Sequence, residues 1–202
     1  MIISHKYKFI FVKTAKTAGT SIEIFLSQHC GPMDVITPII PHVKPHSARN
    51  YAGYYNHIEA HAIRDKIGTD TWNSYLKFCV ERNPWEKTLS HYYMKKLMED
   101  PSLTLTRYLA QGQFPVNIQK YTEPDNPKKI LVNRVLYYES LMEQLTQIFQ
   151  ELGIPFKGSL GVNAKSEYRK DRRPYAEIYS SKQARLIGDI FGHEISLHGY
   201  KF

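Results

Sequence analysis

The chain has 202 residues, of which 42% are hydrophobic, and only two of them are cysteines. This length suffices for one domain with a sizeable core, and two cysteines are too few for a disulfide framework. The chain has 27 Lys and Arg against 19 Asp and Glu, so its net charge is +8. This charge favours an acidic partner such as a nucleotide, an anionic glycan or a nucleic acid. No apolar stretch reaches the roughly 18 residues of a membrane span and no signal-peptide pattern opens the chain, so a soluble, cytoplasmic protein is expected.

The first pattern along the chain is an apolar strand that ends in a loop of small residues. Residues 9–21 read Phe-Ile-Phe-Val-Lys-Thr-Ala-Lys-Thr-Ala-Gly-Thr-Ser, and a helical pattern follows. Such a junction lets successive backbone N–H groups and the positive end of the helix dipole point at one anion. A Walker A loop has lysine directly after its last glycine, but Thr20 follows Gly19 here and the lysine is Lys16. We predict a phosphate site, although an ordinary strand, turn and capped helix would have the same outline.

Two pairs among the nine histidines have i, i+4 spacing, His42 with His46 and His57 with His61. This spacing binds zinc on a helix in metalloproteases, but their motif requires Glu directly after the first histidine, which neither pair has. The first pair also spans Pro45, so it cannot lie on a regular helix. We therefore predict that the protein has no metal site.

A second junction between a strand and a helix lies at residues 75–93. They read Tyr-Leu-Lys-Phe-Cys-Val-Glu-Arg-Asn-Pro-Trp-Glu-Lys-Thr-Leu-Ser-His-Tyr-Tyr, with Pro84 in the first turn of the predicted helix. Arg82 follows the strand and Ser90 comes about two helical turns later, so both can reach one site beyond the end of the sheet. A guanidinium and a hydroxyl suit a terminal phosphate. Glu81 would weaken that site unless strand alternation turns its carboxylate to the other face.

Strand and helix patterns alternate along the chain. Strands are predicted near 7–13, 75–81 and 130–138, and helices near 19–29, 58–67, 84–98, 140–152 and 180–191. The alternation predicts an α/β fold with a central parallel sheet covered by helices on both faces. We predict a single domain over residues 1–202, with irregular insertions near 31–55 and 111–128 that contact an acceptor molecule.

The two junctions together resemble the nucleotide signatures of sulfotransferases that use 3′-phosphoadenosine 5′-phosphosulfate (PAPS). The matching residues are Lys16-Thr17-Ala18-Gly19-Thr20-Ser21 and Arg82-Asn83-Pro84-Trp85 with Ser90 and Tyr92. Segments that look like the carbohydrate-directed and bacterial branch are Asp65-Lys66-Ile67-Gly68 with Trp72, Tyr138-Glu139-Ser140-Leu141 and Gly199-Tyr200-Lys201-Phe202. The chain departs from the family at Ala15, where the family usually has proline, and at Glu81, where it has an apolar residue.

The resemblance implies a P-loop-NTPase-like three-layer fold and transfer of a sulfuryl group from PAPS to a hydroxyl of a small molecule or saccharide, most simply a carbohydrate. Lys16 would stabilise the leaving nucleotide, and Lys16 to Ser21 would bind the 5′-phosphosulfate. Arg82 and Ser90 would bind the 3′-phosphate. No metal is implied.

The resemblance also assigns a catalytic base. In related sulfotransferases a histidine followed by an alanine three residues later and then an Ile-Arg pair is taken as the base, and this match falls on His57. A surface or capping histidine is the simpler interpretation from spacing alone, and His61 is the alternative base. The family often closes a basic loop over the nucleotide, which here corresponds to the cluster of Lys165, Arg169, Lys170, Arg172 and Arg173, whose composition alone favours a solvated loop.

Two other functions account for part of the sequence. A P-loop nucleotide kinase or NTPase would explain the first junction and Tyr137-Tyr138-Glu139, which imitates a Walker B strand end, but it leaves Thr20 in the lysine position and the segment from Arg82 to Ser90 unexplained. A non-enzymatic nucleic-acid-binding module would use the basic residues and the 15 tyrosines. The aromatic residues are scattered through predicted strands and helices, where core packing explains them, so no nucleic-acid partner is predicted.

Overall fold

The computed structural model describes residues 1–161, 171 and 173–202. They form two compact units, each with its own hydrophobic core. The first unit contains Met1–Glu81 and the segment that begins at Asn117, and the second contains Arg82–Val116 and the carboxyl-terminal helices. The single domain with irregular insertions stays a prediction.

The first unit is built around a five-stranded sheet with the strand order β3-β1-β2-β4-β7. Its strands are β1 (Ile2–Ser4), β2 (Phe9–Phe11), β3 (Val35–Ile36), β4 (Leu76–Glu81) and β7 (Arg134–Tyr137). A separate hairpin pairs β5 (Thr122–Glu123) with β6 (Asn126–Ile130). The helices of this unit are α1 (Gly19–Ser27), α2 (Ala60–Ile67), α3 (Thr69–Ser74), α6 (Ile118–Tyr121) and α7 (Leu141–Glu151), the last preceded by a 3-10 turn at Tyr138–Ser140.

The middle of the sheet is parallel and one side is not. Strands β2, β4 and β7 are parallel, whereas β1 is antiparallel to both β2 and β3. Only four residues join β1 to β2, and a connection that short can link only antiparallel strands. The three predicted strands therefore form a parallel sheet, as expected, and the antiparallel β1 and β3 are additions that the sequence did not predict.

Both faces of the sheet are buried, as expected for this fold class. On one face, Phe78 and Val80 of β4 join a core that includes residues of α1 and α7. Alternation along the strand turns Lys77, Cys79 and Glu81 to the opposite face. There Lys77 Nζ donates to a carbonyl of α3 at 2.9 Å, and a tyrosine of α6 donates to Glu81 at 3.0 Å. The predicted α/β fold with helices on both faces is confirmed.

The segments predicted to be irregular contain short elements that have no clear sequence period. Residues 31–55 contain β3 and an isolated bridge between Ile36 and Arg49, and the described residues 37–55 form no helix. The segment 111–128 contains α6, β5 and the start of β6. The sequence of β6, Asn-Pro-Lys-Lys-Ile, lacks the apolar alternation that would have predicted a strand.

The second unit consists of helices packed on α4. They are α4 (Pro84–Met98), α5 (Leu105–Ala110), α8 (Tyr175–Ile178), α9 (Ser181–Ile190) and α10 (Gly192–His198). The predicted helix at 84–98 is found with the same bounds. It begins sharply because the Asn83 side chain accepts hydrogen bonds from the N–H groups of Trp85 and Glu86, at 3.0 and 3.3 Å, and proline occupies the first helical position.

A buried ion pair joins α4 to α10. Lys87 Nζ lies 2.6 Å from Glu194 Oε2, and both side chains are fully buried. The ammonium group also lies 5.0 Å from the centre of the Phe191 ring. Neither charge has access to water, so each depends on the other for compensation.

Across the part of the chain that is described, no helix combines the length and apolarity needed to cross a membrane.

Candidate functional site

The loop of residues 14–18 between β2 and α1, here called the Lys16 loop, has an unusual backbone. Lys16 has a φ of 62° and Ala18 a φ of 61°, both in the left-handed region that residues with a Cβ rarely adopt. Alternation between right- and left-handed residues turns successive N–H groups toward one concave side, which is how protein backbones form anion-binding nests. Helix α1 starts directly after Ala18 and adds its own N–H groups. The loop thus combines two left-handed residues with a helix start, and the phosphate site at this junction stays a prediction.

Two residues of this segment are fixed by close packing. Thr17 is fully buried and its hydroxyl lies 2.8 Å from that of Thr14, so the hydroxyl is engaged inside the loop. Gly19 approaches the side chain of Lys13 so closely that an added Cβ would lie 2.9 Å from Lys13 Cγ. Lys13 cannot easily move aside, because its ammonium group is buried in an ion pair with Glu23 of α1. Any side chain at position 19 would therefore force Lys13 to shift.

The side chain of Asn117 holds the start of the Lys16 loop. Its Oδ1 accepts from the Ala15 N–H at 2.8 Å, and its Nδ2 donates to the Ala15 carbonyl at 3.1 Å. Nδ2 also donates to Glu81 Oε1 at 3.3 Å, and Tyr121 Oη donates to Glu81 Oε2 at 3.0 Å. Glu81 thus lies on the face of the sheet opposite α1. Strand alternation has turned its carboxylate to that face, which was the condition for Glu81 not to weaken the site predicted at Arg82. Sequence reasoning missed Asn117, because it is 102 residues from its partner along the chain.

A cavity of about 380 Å³ lies beside the first turn of α1. Ala18 and Ser21 line one side of it, and Leu160 with the segment that follows β7 lines the rest. That segment includes Tyr138-Glu139-Ser140-Leu141, so the structure brings together two of the sequence segments that resemble sulfotransferases. The volume is in the range of pockets for small organic ligands.

His57 has the features of a neutral base. Its Nδ1 lies 3.1 Å from the carbonyl oxygen of Lys13. Because a carbonyl only accepts, this bond requires the proton on Nδ1 and leaves a lone pair on Nε2. Burial, followed by the positive charge of Lys13, lowers the pKa of His57 from 6.5 to about 4. The ring is therefore neutral at pH 7.

The other histidines of the two pairs have different surroundings. His61 lies in the first turn of α2, and its Nδ1 is buried without a hydrogen-bond partner among the described residues. His42 Nε2 lies 2.8 Å from the carbonyl oxygen of His46, in a segment outside the helices. Within residues 1–161, 171 and 173–202, no three His, Cys, Asp or Glu side chains are grouped as a metal site would need.

Arg82 and Ser90 belong to the second unit. Arg82 directly follows β4, and Ser90 lies in α4, as the sequence predicted. The Arg82 side chain is 14% exposed, and its Nη2 forms an ion pair with Glu86 Oε2 at 3.2 Å. A contact between Glu86 and the arginine predicted to bind phosphate was not expected from the sequence. An anion bound to Arg82 would share the guanidinium with this carboxylate.

Most of the predicted basic cluster lies outside the described residues, namely Lys165, Arg169, Lys170 and Arg172. Arg173 is described, and its Nη2 lies 2.7 Å from Asp171 Oδ2 in an exposed ion pair. Surface pairs of this kind add little to stability.

Known proteins share the fold and part of the sequence of this chain. No protein-family model matches it. The mouse sulfotransferase SULT7A1, solved in complex with PAP, has a TM-score of 0.58 at 14% identity and covers 95% of this chain and 85% of its own. A sulfotransferase from Alicyclobacillus acidocaldarius has a TM-score of 0.46 at 15% identity, covering 96% of each chain.

A closer match in sequence is an uncharacterized protein of Archaeoglobus fulgidus. It is 32% identical over 113 residues, which are 54% of this chain and 94% of that protein. The likeness to the mouse structure shows the fold that the resemblance implied. The chain therefore belongs to the same family as the archaeal protein, and its fold is that of the sulfotransferases.

Proposed function

We propose that the protein is a sulfotransferase that moves a sulfuryl group from PAPS to an acceptor hydroxyl, most simply on a carbohydrate. One observation carries this function: Lys13 connects the Lys16 loop to His57. Its side chain packs against Gly19, while its carbonyl binds His57 Nδ1 at 3.1 Å. The predicted phosphate site and the neutral base His57 are thus both in contact with Lys13.

The donor would be held by the groups that the sequence predicted. The 5′-phosphosulfate would lie against the backbone N–H groups from Thr17 to Ser21 and the side chain of Lys16. Thr17 would contribute its N–H, since its hydroxyl is engaged with Thr14. The cavity beside Ala18 and Ser21 would take the nucleoside, whose volume it suits.

The second phosphate would be bound by side chains of α4 and the residues before it. Arg82 supplies a guanidinium and Ser90 a hydroxyl, a pair that suits a 3′-phosphate. A donor without that phosphate would lose its contact with the Arg82 guanidinium, which the carboxylate of Glu86 already contacts. The PAP in the mouse sulfotransferase structure supports a donor of this type.

The reaction would be an in-line displacement at sulfur, comparable to phosphoryl transfer. His57 Nε2 takes the acceptor proton while the acceptor oxygen forms its bond to sulfur. The bond from sulfur to the bridging oxygen breaks, and its electron pair stays on the departing adenosine 3′,5′-bisphosphate. Lys16 donates to that bridging oxygen and stabilises the developing charge. No step uses a metal ion.

Binding and transfer can be tested separately. Isothermal titration should show that the protein binds adenosine 3′,5′-bisphosphate more tightly than adenosine 5′-monophosphate. Labelled PAPS, offered with pools of saccharides, phenols and lipids, should transfer label to one pool, with the saccharides expected. Failure to bind the bisphosphate contradicts the proposed function. Hydrolysis of ATP that depends on Mg²⁺ would instead support a P-loop NTPase, in which Glu139 beside the cavity would be the Walker B carboxylate.

The assignment of the base has its own test. His57→Ala should abolish turnover and retain binding of the bisphosphate, whereas His61→Ala serves as the matched control from the same segment. Because the pKa of His57 is lowered to about 4, the base is deprotonated above that pH. The parent rate should therefore be constant from about pH 8 to pH 5 and fall only as the pH approaches 4. Full activity of His57→Ala would move the base to His61.

A further inference from the structure

The start of the Lys16 loop is held by side-chain bonds from a distant segment and not by a strand ladder. Ala15 is the residue before the left-handed Lys16, and both of its backbone polar groups bond to the side chain of Asn117. The side-chain amide of Asn117 thus makes the two hydrogen bonds to Ala15 that a neighbouring strand would make in a sheet. Asn117 is 1% exposed, so these bonds do not compete with solvent.

The orientation of the Asn117 amide is itself determined by a neighbour. Glu81 is fully buried, and its Oε1 lies 3.3 Å from Asn117 Nδ2. A carboxylate only accepts, so the NH₂ group must face Glu81, which directs Oδ1 toward the N–H of Ala15. Tyr121 is also fully buried and donates to the other oxygen of Glu81 at 3.0 Å. The chain of bonds therefore runs from α6 through the end of β4 to the loop.

We propose that Asn117, oriented by Glu81 and Tyr121, is a positioning residue that fixes the Lys16 loop in its anion-binding shape. Two left-handed residues with side chains are unfavourable by themselves and persist only where the surroundings determine them. Fixing Ala15 from both sides removes the freedom through which Lys16 would relax. A proline at position 15 has no N–H and could not form the first of these bonds. An alanine with an asparagine partner is thus a different way to fix the same loop.

The role of Lys16 here rests on the proposed function, but the anchoring itself can be measured without substrate. Asn117→Ala should raise the amide hydrogen-exchange rate of residues 14–18 by about tenfold, as expected for the loss of a buried hydrogen bond. Asn133→Ala is the matched control, because Asn133 Oδ1 accepts from the Lys77 N–H at 2.9 Å at the other end of β4. The control should leave exchange in residues 14–18 unchanged. Equal exchange in both variants would overturn the anchor.

Activity gives an independent readout. Asn117→Ala should lower turnover about a hundredfold, since a displacement of about 1 Å at a reacting group can have that effect. The control should keep parental turnover. If Asn117→Ala does not fold, Tyr121→Phe keeps the ring and removes only the hydroxyl that bonds Glu81. It should speed exchange in residues 14–18 and lower turnover several-fold, and parental values for both would overturn the inference. If the parent protein fails to bind adenosine 3′,5′-bisphosphate, the proposed function falls, and the exchange rates still decide the anchor.

Discussion

The two segments assigned to donor binding are built in different ways. The Lys16 loop depends on its backbone, because two of its residues are left-handed, Gly19 packs against Lys13, and a side chain from 102 residues away holds Ala15. The segment from Arg82 to Ser90 runs through an asparagine cap into a regular helix, and its chemistry lies in partly buried side chains. The loop should therefore be sensitive to shape, and the helix to charge.

The largest effect, on turnover, is expected when the side chain of Lys16 is removed from the Lys16 loop. Lys16→Ala should lower turnover by about 10²- to 10³-fold, because one preorganised donor to a developing charge is lost. Affinity for intact PAPS, measured by titration without an acceptor, should change much less, since the bridging oxygen of the donor gains its charge only during transfer. Lys8→Ala is the matched control, because Lys8 is an exposed lysine with a φ of 55°. Equal loss of turnover in both variants would contradict the role of Lys16.

A smaller effect, on binding and not on turnover, is expected at Arg82, just before α4. Arg82→Ala should weaken binding of adenosine 3′,5′-bisphosphate by about 10- to 100-fold, the range for losing a charged hydrogen-bond donor. Thermal stability should change less than binding, because the ion pair of Arg82 with Glu86 joins side chains that solvent reaches. Arg107→Ala, in the same unit and at a 61% exposed side chain, is the control.

Glu86→Gln sharpens the test of Arg82. It removes the carboxylate that shares the guanidinium and should tighten binding of the bisphosphate. If Arg82→Ala and Arg107→Ala bind like the parent, the 3′-phosphate site is elsewhere.

The smallest effect tests shape alone. Gly19→Ala should lower the free energy of unfolding by about 1–3 kcal/mol, because the new methyl group would overlap Lys13, which its buried ion pair holds in place. Gly192→Ala is the control, since a Cβ there would meet no atom within 4 Å. Chemical denaturation measures both. A neutral Gly19→Ala would show that Lys13 can move aside, and that the loop is less constrained than its packing indicates.

Helices and strands whose signals lie in a few neighbouring residues were predictable from the sequence. The helix at 84–98 has its cap and proline in sequence, and the strand before Lys16 reads as an apolar run. The antiparallel β1 was not predicted, because its three residues are too few to show a period. Hairpin β5–β6 was missed because β6 is polar and exposed along most of its length.

The site itself could be predicted only in part. The Lys16 loop and Arg82 were assigned to the site from residue order, and that assignment stays a prediction. The left-handed conformations at Lys16 and Ala18 have no sequence signal, since neither residue is glycine. The neutral state of His57 depends on burial and on a backbone carbonyl, which spacing does not reveal. Asn117 depends on a contact between segments that are far apart in the chain.

The buried pair of Lys87 and Glu194 couples the substitutions that the second unit tolerates. Loss of either partner alone would leave the other charge in a dry interior without this ion pair, at a cost of about 3–5 kcal/mol, whereas replacing both with well-packed apolar residues can be neutral. The two positions can therefore change only together. Because Lys87 lies on α4 one turn before Ser90, the same pair holds the helix segment that carries Ser90 against α10.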